Sequence, residues 1–500
     1  MKTSCNDTVK AENVISSTDS NINPEKIKSF KWIKENGGKI PLNIWIIASV
    51  IFLIPLVPNL FAPFLLIVPF ISTLILNKGS FKSMVGLIKN KSFLAIFALA
   101  DVVVICIGII PAQNKPYAAL MSLLWVLCLL MFFSVLVTVV KKEYFLLCMG
   151  ALVFACGLSA IISLLQCYNY YATNVFGIHF NNPFWVEFEK SILENLPILE
   201  FNFDGNLDPK RFCSTFMNSG VYAMYLILII PIIIYFITVF SNKKMRFSIL
   251  LITIFSASAL GLAFSRTSYA VFIFIMVFLV VSFSILNFRN KRHLKQSPSI
   301  IPVLSLVVII PLCLIILYIS LPESIIRRFE SSFIADNSKS IRFDLWEASI
   351  GLIGQKPIFG FGTGMENQWD LFRNLPAHGV NITNISGEVI NTINEPHAHN
   401  MVLQILLEGG FLRLTTTLCL IGVYFKKVLT LVKVHNKSAK FLGICLFGAL
   451  FGFIFNGMTD YIFVDPKLCG LYIIVIALGG CAYNIYKDSK NEYGKKVSLN

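Results

Sequence analysis

The residues best placed to do chemistry are two histidines and a few arginines. The histidines sit two apart, in His397-Ala-His-Asn400. An imidazole with an ordinary pKa of about 6.5 can take up a proton at neutral pH. A helix running through Leu403, Leu406 and Leu407 starts just after His399. The field at its N-terminus favours a nearby anion and a neutral imidazole. The arginines offer a planar fork that pairs bidentately with phosphate or carboxylate. Arg266 stands in a two-residue hinge between apolar stretches, with no acidic neighbour in sequence, where charge is expensive. Arg342 and Arg211 lie in polar stretches next to further apolar segments. A proton acceptor and an anion clamp are therefore both on hand. The run Gly360-Phe-Gly-Thr-Gly364 looks superficially like a phosphate loop. No strand precedes it and no Lys-Ser/Thr pair follows, so nucleotide binding is not indicated. Glycines at 360, 362 and 364 permit a tight turn.

The elements that must position these groups are apolar. Of 500 residues 56% are hydrophobic and 14% charged, and the mean hydropathy is +0.73. Soluble domains carry about 25% charged residues. The net charge of +15 would raise nucleic acid as a partner in a soluble protein. In a membrane protein it must be read side by side instead. A bilayer core needs roughly 20 apolar residues as helix. Twelve stretches fit: 42–57, 60–76, 93–110, 117–139, 144–165, 219–240, 247–264, 267–288, 300–321, 411–425 (with a start as early as 400), 441–458 and 468–486. The expectation is an all-α polytopic membrane protein of about twelve transmembrane helices. Residues 1–39 and 487–500 are its polar cytoplasmic tails, and 40–486 its membrane domain.

Lysines mark alternate loops, including Lys141 and Lys142, Lys243 and Lys244, and Lys426 and Lys427, as the positive-inside rule requires. Both termini are then cytoplasmic, in a plasma membrane. Two outer segments are long, 166–218 and 322–399, the second between spans 9 and 10. Long loops are usually functional, so function is expected on the outer face. On this topology the inside holds 26 Lys and three Arg, the outside six Lys and seven Arg. Lysine suffices for orientation, so the outer arginines suggest a demand for the guanidinium fork. Asp101, in the middle of a span, is either functional or paired to a neighbouring helix. Cys167 and Cys213 flank the first long loop, as a disulfide or as two free thiols. No CxxC pair or Cys/His cluster points to a metal site.

Four motifs fall in order on the expected outer face: Arg211-Phe-Cys-Ser-Thr-Phe-Met-Asn218, Phe264-Ser-Arg-Thr-Ser-Tyr269, Arg342-Phe-Asp-Leu-Trp346 with Pro357-Ile-Phe-Gly-Phe-Gly-Thr-Gly364, and His397-Ala-His-Asn400 with Glu408-Gly-Gly410. Together they resemble the O-antigen ligase and O-antigen polymerase superfamily of bacterial membrane glycosyltransferases. The resemblance covers roughly 211–410 and the twelve-span layout. Arg413 stands where the family often has a second glycine, and Thr267 and Ser268 where it often has small residues.

The resemblance implies a GT-C-like helical enzyme acting on a glycan carried on undecaprenyl pyrophosphate. It implies Arg266 and Arg342 as the diphosphate clamp and His399 as the base for the acceptor hydroxyl. Arg211, Trp346, the three glycines, His397 and Asn400 are the expected substrate-binding positions, with the glycine turn beneath the glycan. Trp346 either stacks on a sugar face or packs in the core. His397 and Asn400 would orient His399. The acceptor is a glycan or lipid, membrane lipid surrounds the protein, and neither nucleic acid nor a cofactor is expected. An Asn- and Lys-heavy composition favours a polysaccharide polymerase over a ligase. The rival is a multi-pass transporter, since twelve spans with both tails inside is a common transporter layout. Such proteins usually show internal repeats and midplane polar sites, whereas here the polar chemistry gathers at one surface.

Overall fold

A computed structural model of the chain describes residues 40–77, 79–176, 212–216, 218–240, 242–291, 338–373, 382–383, 389–390, 397–434 and 436–497. In the described residues the chain is helical apart from one two-residue ladder. The helices are α1 (Leu42–Leu53), α2 (Ala62–Leu76), α3 (Ser80–Lys89), α4 (Phe93–Ile107), α5 (Lys115–Thr138), α6 (Lys142–Phe176), α7 (Ser219–Val239), α8 (Lys243–Leu262), α9 (Arg266–Lys291), α10 (Ser338–Gln355), α11 (Glu366–Arg373), α12 (Met401–Val432), α13 (Lys437–Gly457) and α14 (Pro466–Val497). Strands β1 (Ile382–Thr383) and β2 (Val389–Ile390) pair antiparallel.

Eleven of the twelve expected apolar stretches coincide with a helix, and the protein is a polytopic membrane protein. The twelfth, 300–321, lies outside the described residues, as does the tail 1–39. Among the described residues eight helices are long and apolar enough to cross a bilayer; α1 and α4 are shorter. Helix α2 meets α3 at a sharp bend, at Gly79 with φ +94°. Helix α3 carries Lys82 and Lys89 on an amphipathic turn pattern that span counting passed over as a loop. Helix α6 continues past 165 to Phe176, and α14 past 486 to Val497.

Asparagine begins five of these helices for a local reason. The side chains of Asn114, Asn218, Asn242, Asn400 and Asn436 each accept a hydrogen bond from a backbone N–H in the first turn that follows. That satisfies donors that a helix start otherwise leaves unpaired. Proline inside a span is tolerated in a membrane bundle, as at Pro69 and Pro231.

Burial sorts the bundle. In α7 94% of the apolar window is buried inside the protein, in α9 only 28%, so α7 is the central post and α9 a lipid-facing helix. Helix α7 packs on α13, α8 and α9, and α12 packs on α4, α13 and α14. A second, smaller core lies beyond the main one. It joins Leu345, Leu352 and Ile353 of α10 to Phe361, Phe372, Ala398, Leu406 and Leu407. This core seats the glycine turn and α10 on the start of α12. Cys167 and Cys213 are buried free thiols.

Candidate functional site

His399 is held from several sides. Asn400 caps α12 through Val402 N–H and Leu403 N–H, at 2.9 and 3.2 Å, and its Nδ2 donates to the Met458 carbonyl at 2.9 Å. Those bonds fasten the start of α12 to the loop after α13. His399 has φ +45°, a left-handed conformation uncommon outside glycine. Its Nδ1 lies 3.0 Å from Asp460 Oδ1, which also accepts the Tyr461 N–H at 2.8 Å. His397 Nδ1 accepts the His399 N–H at 3.2 Å, and the two rings are 4.2 Å apart.

Burial pushes the Asp460 pKa up. The hydrogen bond and charge of His399, the charge of His397 and the Tyr461 N–H outweigh that and hold it well below the usual carboxylate range. The carboxylate is therefore ionised at neutral pH. In its neutral form His399 places its proton on Nδ1, facing the carboxylate, and its lone pair on Nε2. The expected field of the α12 N-terminus is thus joined by an anion that stabilises the imidazolium formed on proton uptake.

Below the pair a buried polar network links both loops. Gln404 Oε1 accepts the Ala398 N–H at 3.0 Å, and Gln404 Nε2 donates to Glu408 Oε1 at 3.1 Å. Glu408 also hydrogen-bonds the Tyr461 side chain and forms an ion pair with Arg413. So Glu408 reaches the residue between the two histidines through Gln404, and the residue after Asp460 through Tyr461. Arg413 is buried within α12. Nearby, Asp101 of α4 accepts hydrogen bonds from Thr416 and Thr417 at 2.7 and 2.8 Å. These interactions give Asp101 structural partners across two helices.

The glycine turn docks on a break in α12. Gly410 has φ +62° inside that helix. Phe361 N–H and Gly362 N–H donate to the Leu407 and Glu408 carbonyls at 2.7 and 3.2 Å, and Phe411 N–H donates to the Pro357 carbonyl at 2.8 Å. A Cβ on Gly360 would lie 2.4 Å from the Leu407 carbonyl oxygen, and one on Gly410 2.2 Å from that of Ile358. Only glycine allows this backbone-to-backbone approach. The space at Gly362 is filled by Ala112, and that at Gly364 by Tyr117. Protein, not open space, surrounds all three glycines of the turn.

The arginines are placed differently. Arg266 is the first residue of α9, half-buried, after a tight turn in which Phe264 has φ +50°. The positive end of a helix is an unfavourable place for a cation, and both together favour an anion. Ser265 and Ser268 hydroxyls share a 2.7 Å hydrogen bond, and Asn456 Nδ2 donates to Ser268 Oγ at 2.8 Å. Asn456 lies four residues before Asp460, so the Ser-Arg turn is tied to the loop that carries the carboxylate.

Arg342 lies half-buried in the second turn of α10. Trp346, one turn on, packs against the small core that includes Ala398, edge-on to Phe343 with ring centroids 5.4 Å apart. Arg211 lies outside the described residues. The segment after it is fixed: Gln166 both accepts from Ser214 N–H at 2.8 Å and donates to the Ser214 carbonyl at 2.6 Å.

Sequence reasoning missed Asp460, Asn456, Tyr461 and Gln404. The signal for Asp460 is an acid in a short loop between two spans. One motif meets that loop through His399, and a second meets the last turn of α13 just before it through Ser268; the start of α7, two residues past a third motif, approaches it, where a Cβ on Gly220 would lie 3.4 Å from Asp460 Oδ2. The ligand atoms of His397, His399 and Asp460 lie within 4.8 Å of one another, a spacing that could hold a metal ion.

No curated protein matches the chain at a significant level. Residues 249–418 match the family model described as O-antigen ligase. That stretch, about a third of the chain, holds Arg266, Arg342, the glycine turn, both histidines and Glu408, and leaves Asp460 outside it. With this match, and with the four motifs carried on a polytopic helical scaffold, the stretch 249–418 is similar to the O-antigen ligase family.

Proposed function

We propose that the chain transfers or polymerises a glycan carried on undecaprenyl pyrophosphate, at the outer face of the plasma membrane, with inversion and without a catalytic metal. The family's glycan transfer supports the reaction class. The observation that carries the reading is the His399–Asp460 pair, at 3.0 Å. His399 Nε2 takes the proton of the acceptor hydroxyl as the oxygen attacks the anomeric carbon. Asp460 keeps the ring in the tautomer this needs and stabilises the imidazolium. The sugar–phosphate bond breaks, and the diphosphate leaves against Arg266 and Arg342, whose fixed charge matches what develops on its oxygens. Arg211 adds a further cation for the lipid-linked substrate. His397, Asn400 and Gln404 hold the loop, and Trp346 with the glycine turn supports it from below.

The acceptor is a growing glycan, which makes the reaction a polymerisation of a surface polysaccharide. The Asn- and Lys-heavy composition favours this over ligation to a lipid. The test is His399→Ala in cells, reading glycan chain length and attachment at matched protein level. Loss of polymer is expected; unchanged product removes the base assignment.

A further inference from the structure

The pair that orients His399 has a third donor beside it, His397. Their ligand atoms lie within 4.8 Å of one another, and His399 Nδ1 and Asp460 Oδ1 are already 3.0 Å apart. Tetrahedral zinc sites with nitrogen and oxygen bonds of about 2.0–2.2 Å place neighbouring ligand atoms roughly 3.3–3.6 Å apart, between those two distances. Two of the three donors are within reach of solvent, with side-chain exposures of 22% for His399 and 24% for Asp460, while His397 is buried at their side. The supports such a site needs are in place. Asp460 is fixed by the Tyr461 N–H, and the histidine loop by Asn400 and Gln404.

From this geometry we infer that His397, His399 and Asp460 form a binding site for a divalent transition-metal ion of the zinc class, and that its occupancy switches off His399 as a base. Two imidazoles and one carboxylate select zinc, copper, nickel or cobalt over magnesium and calcium, which prefer oxygen donors. The ion takes the place of the proton shared by His399 and Asp460. Coordination through Nδ1 leaves the ring proton on Nε2, so the atom that must accept a proton now carries one. Three protein donors leave a fourth position for water. The inhibitory consequence rests on the base assignment above; the binding does not.

Two separate readouts test this on the full chain in lipid nanodiscs after chelator treatment. The first is cobalt absorption together with zinc titration. One ion per chain is expected, with Asp460→Asn and His397→Gln each weakening it at least about tenfold. Ions held elsewhere on the chain survive both substitutions. Two chemically mild variants guard against one that fails to fold, and both should elute as the wild type does. No bound equivalent, or one unaffected by either substitution, overturns the site. The second readout is glycan transfer. Micromolar zinc should slow the wild type, with recovery on adding chelator. Transfer indifferent to saturating zinc, in protein that binds it, overturns the inhibitory role. If His399→Ala transfers normally, the base assignment has failed, and the cobalt spectrum still reads the site by itself.

Discussion

The two sides of the candidate site are built on opposite plans. On the histidine side the His399 ring is tied to Asp460 in the loop after α13, Asn400 to Met458 at the start of that loop, and the Ala398 N–H to Gln404 of α12. On the arginine side Arg266 stands half-buried at the start of α9 and Arg342 half-buried in the second turn of α10. The difference follows from the chemistry each would do. A base works through one lone pair in one direction, and a small rotation removes it. A guanidinium acts through charge and five donors, and a diphosphate can meet it in several poses. Direction must be built into the protein for the first; for the second, the substrate supplies part of the order.

That contrast makes the variants unequal. His399→Ala should reduce transfer by about 10²–10⁴-fold, and no other side chain at that position should restore it, because general-base catalysis needs the lone pair where it is. Arg266→Ala should cost about 10²–10³-fold, the scale for losing a charge-stabilising group. Arg266→Lys should recover part of that, since the charge survives and only the fork is lost. Initial rates with a lipid-linked glycan decide it. If Lys serves no better than Ala, Arg266 is as directional as His399 and the contrast is wrong.

Glu408 probes the support beneath the histidine side. It is buried, ion-paired to Arg413 and bonded to Gln404 and Tyr461. Glu408→Gln leaves the Arg413 charge without its carboxylate in the low-dielectric interior. Breaking a buried pair in this way typically costs about 3–5 kcal/mol. The loss should appear as a lower unfolding temperature in nanodiscs and as reduced protein level in membranes. A variant as stable as wild type would show that the network is not what holds the loops.

The same contrast explains what could be read in advance. Arg266, Arg342 and His399 announce themselves by residue type and by the motifs around them, and the apolar stretches locate eleven helices. Asp460 did not, because its partner is 61 positions away and nothing in a short loop marks an acid as paired. Helix α12 starts at Met401, the earlier of the two starts expected for that span, and runs past the expected end at 425 to Val432. Gln404, Glu408 and Arg413 look polar to a hydropathy window, yet they satisfy one another inside the fold. The glycine turn is legible as a tight turn, but the approach of its backbone to the break in α12 is not, because the two segments lie far apart along the chain.

The smallest effect separates the carboxylate from the imidazole. Asp460 has its pKa held below that of an unfolded Asp, about 3.9. A group depressed in this sense binds more protons when the chain unfolds, so its contribution to stability is complete above the unfolded value. It is lost only as the pH falls below that value toward the folded one. The difference in unfolding temperature between wild type and Asp460→Asn should therefore stay constant from pH 7 to about pH 5. It should shrink only below about pH 4. The acid limb of the transfer rate should instead follow His399, whose protonation removes the lone pair on Nε2. If the stability difference instead grows between pH 7 and pH 5, what it reports is the imidazolium gaining Asp460 as its counter-ion, and the pair is then held by charge more than by the hydrogen bond of a neutral ring.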